Sequence, residues 1–77
     1  MERKYIVKQY MQGNTEPTCT EFPFEEGNYE TARRKAWGLY GDLMKAPNTR
    51  RVEMAIWKAP REVILDYAEG DDVGDSR

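Results

Sequence analysis

The spacing of apolar positions changes twice along the chain. In residues 4 to 11, KYIVKQYM, Tyr5, Val7 and Met11 share one parity, broken by Gln9, and Lys4, Ile6, Lys8 and Tyr10 share the other. This alternation of aromatic and β-branched residues predicts a strand. The next stretch, QGNTEP, is turn chemistry: Gly13 and Asn14 tolerate positive φ, and Pro17 restricts the backbone beyond it. Residues 18 to 22, TCTEF, predict a short second strand. Its flanking prolines, Pro17 and Pro23, put it at a sheet edge, because proline donates nothing to a ladder.

The period then lengthens to that of a helix. Between Asn28 and Ala46, residues Tyr29, Ala32, Ala36, Leu39, Tyr40 and Leu43 fall on one arc at ~100° per residue. Trp37 and Met44 border that arc, and Arg34, Lys35, Gly38, Gly41 and Asp42 lie opposite. Asn28 is placed to cap the helix by accepting from an early helical N–H. Pro47 ends it by disfavouring helical geometry in its predecessor.

Period two returns in residues 52 to 67, VEMAIWKAPREVILDY. A two-residue Ala59-Pro60 turn is not expected, because Pro60 has no access to the positive φ of a type I′ turn. A four-residue loop from Lys58 to Arg61 sets Trp57 opposite Glu62, Ile56 opposite Val63, Met54 opposite Leu65 and Val52 opposite Tyr67. The last three pairs are apolar and share one side. The same register sets Glu53 against Asp66, a like-charge pair costing up to ~1 kcal/mol. A first strand lying beside this hairpin would bring Lys4 or Lys8 to those carboxylates.

The expected architecture is a two-layer α+β domain: a small, mainly antiparallel sheet in the order β-β-α-β-β with one helix on one face. Residues 1 to 68 form the domain, and the acidic stretch 69 to 77, EGDDVGDSR, is expected to be a solvated tail. The helix-covered face takes Tyr5, Val7, Val52, Met54, Ile56, Val63, Leu65 and Tyr67. Nothing in the chain supplies a layer for the other face.

Composition narrows the chemistry. At 77 residues the chain is one domain with a small core. It contains no histidine and one cysteine, Cys19. Histidine-based acid–base catalysis, Ser–His or Cys–His nucleophiles and thiolate zinc sites are therefore excluded within one chain. No cofactor or metal motif is present, and the expectation is a protein that is not an enzyme. A lone cysteine gives no disulfide, the start MERKYIVKQYM has no apolar signal core, and no apolar run approaches ~20 residues. These features point to the cytoplasm and away from the membrane.

The candidate site is the open sheet face. Ile6, Tyr10, Trp57 and Ile64 fall there, with Lys8 and Arg51 among their charged neighbours. Aromatic anchors within a charged rim have the composition of a protein contact, for a partner or for another copy of the chain. The alternative is a nucleic-acid surface built from Arg33, Arg34, Lys35, Arg50 and Arg51. The charge balance gives it little support. Glu69, Asp71, Asp72 and Asp75 against Arg77 sum to −3, so residues 1 to 68 sum to +1 within a net −2. In length, element order and lack of catalytic groups the chain resembles the small, cofactor-free proteins of phages and mobile elements. That resemblance covers no aligned residues. Some of those proteins inhibit host enzymes by binding them, which implies a protein that modulates a host factor.

Overall fold

The computed structural model describes residues 3–69. Its strands β1 (Arg3–Met11), β2 (Thr18–Phe24), β3 (Thr49–Lys58) and β4 (Arg61–Glu69) form one antiparallel sheet in the order β2-β1-β3-β4. A 3-10 turn, Glu26–Asn28, leads into helix α1 (Tyr29–Met44), which packs on β1, β2 and β3. The two-layer α+β architecture is as expected, and β2 is a full edge strand running on through Phe24. Residues 70–77 of the acidic segment lie outside the described residues. Glu69 does not belong to that segment in structure, since it closes β4.

The core forms where α1 meets the inner strands. Tyr5, Val7, Val52, Met54 and Ile56 line the sheet beneath Ala32, Ala36 and Tyr40 of the helix, and Phe24 closes one end. Small residues at 32 and 36 let the helix lie close to the β-branched sheet surface. Asn28 does not cap α1 as expected. Its Oδ1 accepts from the Glu25 N–H at 2.6 Å and its own N–H donates to the Glu25 carbonyl, so it closes the preceding 3-10 turn. At the other end Asn48 takes φ 65°, a left-handed position that asparagine tolerates, and turns the chain into β3. Buried Thr49 has its partners: Oγ1 accepts from Gln9 Nε2 at 2.9 Å.

The β3–β4 hairpin departs from the expected register. Lys58 pairs with Arg61, leaving a two-residue Ala59-Pro60 turn rather than a four-residue loop. The Ala59–Pro60 peptide is cis, the geometry of a type VI turn, which needs no positive φ. Trp57 faces Glu62 and Ile56 faces Val63 as expected. Beyond Ala55↔Ile64 a bulge leaves Leu65 without a partner on β3, and Met54 faces Asp66, Glu53 faces Tyr67 and Val52 faces Ala68. The expected pairs Met54–Leu65, Val52–Tyr67 and Glu53–Asp66 therefore do not form. One extra residue in a strand turns every later side chain to the opposite face. Asp66 comes to lie on the helix side and Tyr67 on the open side.

The helix is too narrow for the sheet. Four strands at ~4.8 Å span about 19 Å, while a helix with its side chains covers roughly 10–12 Å. β1, lying between β2 and β3, sits under α1 with β2 and β3, while β4 meets the helix only at its margin, where Asp66 lies against Tyr40. Val63, expected in the core, is 45% exposed for this reason, and Leu65 and Tyr67, also expected there, are exposed as well.

Alkaline pH probes this core. Burial pushes the Tyr5 phenol up to about 12, and its hydrogen bond to the Tyr29 hydroxyl at 3.1 Å adds to the rise. The bond to Glu62 raises Lys8 above its ordinary value. Both groups hold their protons more tightly folded than unfolded. Their stabilisation is complete below pH ~10 and is lost as the pH rises through their folded values. Urea unfolding followed by circular dichroism at pH 8, 10 and 11 should show stability level to about pH 10 and falling beyond it. Tyr5→Phe should flatten part of that fall. Equal slopes in the two proteins would contradict burial of a protonated Tyr5.

Candidate protein-contact surface

The open face is less open than its sequence implies. Ile6, expected at the contact surface, is 6% exposed, and Ala55 beside it is fully buried. Among the described residues no second layer covers them. Charged side chains do. Lys8 reaches diagonally across β3 to Glu62 on β4, with Nζ–Oε2 at 2.5 Å, and Lys4 pairs with Glu21 at 3.1 Å. Lysine stems lie along apolar surface while their ammonium groups stay at the rim, so Ile6 is roofed by aliphatic carbon. Trp57, in register with Lys4 and Glu62, is half-buried.

A second network occupies the upper half of this face. Arg51 Nε donates to Glu53 at 2.8 Å and Nη1 to Glu69 at 2.6 Å. Its guanidinium lies over the Tyr67 ring at 4.2 Å from the centroid. The hydrogen bonds to Glu53 raise Arg51 further above its already high value. The bulge assembles this cluster, since without it Asp66 rather than Tyr67 would stand opposite Glu53. Tyr10 is half-buried under the Arg50 guanidinium at 5.1 Å. Arg50 also donates to the Asn14 carbonyl at 2.9 Å.

The exposed apolar surface lies on β4. Val63, Ile64 and Leu65 are each 45% exposed and Tyr67 is 56% exposed. Of the residues expected at the contact, only Ile64 belongs to this group. Val63 extends it onto the helix side, where Tyr40 rests against Asp66 and Trp37 packs edge-on against Tyr40 at 5.3 Å. Burial, and then the Asp66 carboxylate, hold the Tyr40 phenol above its ordinary value. Met44, one turn beyond Tyr40, is also exposed. Exposed apolar side chains therefore occupy both faces of β4, with Val63 beside α1 and Ile64 and Tyr67 on the open side. Three consecutive apolar residues, VIL, were the signal in the sequence: a strictly alternating half-buried strand has no such run.

The basic residues do not converge. Arg33, Arg34 and Lys35 sit exposed on α1, whereas Arg51 lies on the opposite side of the sheet among its carboxylates. Arg33 is near Glu30 at 3.9 Å, and Arg50 is turned toward the β1–β2 turn. Among the described residues no group of three or more His, Cys, Asp or Glu is placed to hold a metal ion. No helix among them is long and apolar enough to cross a membrane. A cleft of about 380 Å³ lies at the foot of the sheet, with Phe24 and Ile56 in its apolar part and Arg3, Lys58, Glu25 and Glu26 among its charged lining. Cys19 is exposed on β2.

Comparison with protein-family models, with curated proteins and with solved structures finds no match to this chain.

Proposed function

We propose that this protein is a non-enzymatic module that works by protein contact, with β4 as the contacting element. The supporting observation is the concentration of exposed large apolar side chains on one edge strand: Val63, Ile64, Leu65 and Tyr67. A single exposed apolar residue is ordinary, while a contiguous group on an otherwise charged surface marks an interaction site. The remaining open face is closed by its own ion pairs and offers a charged rim. Lys8 and Arg51 belong to that rim, and the anchors shift from Ile6 and Tyr10 to the β4 residues beside Ile64. Modulation of a host factor by a phage or mobile-element protein is one setting in which such a contact would act.

Photo-crosslinking tests the surface. A benzoylphenylalanine at position 64 should give a discrete adduct in cells expressing the protein. The same probe at Arg34, on the solvated side of α1, should not. Adducts equally strong from both positions, or none from 64, would remove β4 as the contact.

A further inference from the structure

We infer that β4 is a pairing edge whose occupant is β4 of a second copy of this chain, aligned antiparallel about a two-fold axis between Leu65 and Asp66. This rests on β4 being the contact surface and names its partner.

The direction of the backbone groups is the first argument. In an antiparallel sheet the N–H and C=O of one residue point toward the same neighbour, and successive residues alternate between neighbours. Pro23 has no N–H, and a proline within a strand belongs where the backbone groups face away from the ladder. Its partner Lys4 then turns its own groups to Trp57, and Trp57 turns back to Lys4. Glu62, opposite Trp57, is left facing outward. Ile64, Tyr67 and Glu69 do the same, because their partners Ala55, Glu53 and Arg51 share the parity of Trp57. β4 thus presents four residues whose donors and acceptors find no strand among the described residues; the Tyr67 N–H donates to Asp66 Oδ1 at 2.8 Å and would exchange that bond for one to an added strand.

The two edges of the sheet are unlike. The outward residues of β2 are Cys19, Glu21 and Pro23, and a proline there interrupts any added ladder. β4 contains no proline, and its outward residues alternate charged ends with an apolar centre.

Self-complementarity selects the occupant. About the stated axis, Ile64 faces Tyr67 of the second copy and Val63 faces its Ala68, each pair occurring twice. All four outward residues are matched. The bulge falls on the axis in both strands, so Leu65 of one lies opposite Asp66 of the other and the ladder continues through it. Glu62 meets Glu69 of the second copy, but each carboxylate brings its own cation, Lys8 at 2.5 Å and Arg51 at 2.6 Å. A slip of one residue sets side chains of opposite faces together. A slip of two either sets Asp66 against Val63 or carries Glu62 and Val63 past the end of β4.

Sedimentation of the full chain against concentration tests the pairing. The expected species has twice the 9.0 kDa of one chain. Ile64→Pro removes an outward N–H and none that bonds β3, so circular dichroism should be retained while the dimer dissociation constant rises at least about tenfold. Ile64→Lys should do the same through its side chain, and it carries the test if the proline variant fails to fold. A wild-type chain that stays monomeric to about 1 mM overturns the inference. So does a dimer that persists in the folded variants. If the chain is monomeric while position 64 still crosslinks a different protein, self-pairing falls and β4 stands as a contact surface. If neither is seen, both fall.

Discussion

Met54→Ala is expected to destabilise the domain by about 2–5 kcal/mol, the range for emptying a buried methionine site. Met54 is fully buried in the middle of β3, between Val7 on β1 and Asp66 on β4, with α1 above it. The cavity has little means of closing. Val7 and Val52 are β-branched and stiff at χ1, and they are held by strand pairing on both sides. For a chain of this size, total stability is on the order of 4–12 kcal/mol, so the variant should lose a large fraction of it and unfold at a markedly lower urea concentration. Urea titration followed by tryptophan fluorescence reads the change directly, and a loss below about 1 kcal/mol would mean that Met54 is not in a packed core.

Ala36→Leu tests the same layer from the helix. Ala36 is fully buried and faces the sheet, where its small side chain sets the distance between the layers. A leucine there has no space to enter, and the helix must lift or neighbouring side chains must leave their rotamers, at a cost of about 1–3 kcal/mol. Lifting α1 also exposes Tyr5 and Tyr40, which raises the expected cost toward the upper end. Gly38→Ala is the internal control, because a Cβ at Gly38 meets nothing within 4 Å. It should raise stability by up to ~1 kcal/mol through helix propensity. Melting temperatures that fall for Ala36→Leu and rise for Gly38→Ala would locate the buried side of α1. Equal effects at both positions would place it elsewhere.

The candidate site was legible in part. Trp57 and Ile64 were placed on the correct face because the hairpin register is set near its turn, where Trp57–Glu62 and Ile56–Val63 hold. The adjacency of β1 and β3 was legible as charge compensation, although the pairing differs: Lys8 binds Glu62, and Glu53 is bound by Arg51. Ile6 departs from the expectation because side-chain parity gives a face and not an exposure. Its burial depends on the flanking lysines of its own strand, Lys4 and Lys8, reaching to carboxylates on β2 and β4. Alternation places Val63, Leu65 and Tyr67 in the core only where the ladder is uninterrupted and the helix covers the whole sheet, and neither condition holds.

Local periodicity by itself determined where strands and helix fall, which residues of α1 face inward, and the proline-marked edge at β2. These come from steric preferences and from an alternation that each segment carries within itself. The tertiary structure decided three other things: the bulge at Leu65, the reach of α1 across the sheet, and the ion pairs that close the open face. Each depends on which strands become neighbours and how wide the resulting sheet is beside a single helix. Those are distances between segments far apart in the chain, and they turn β4 from a core strand into the exposed edge of the molecule.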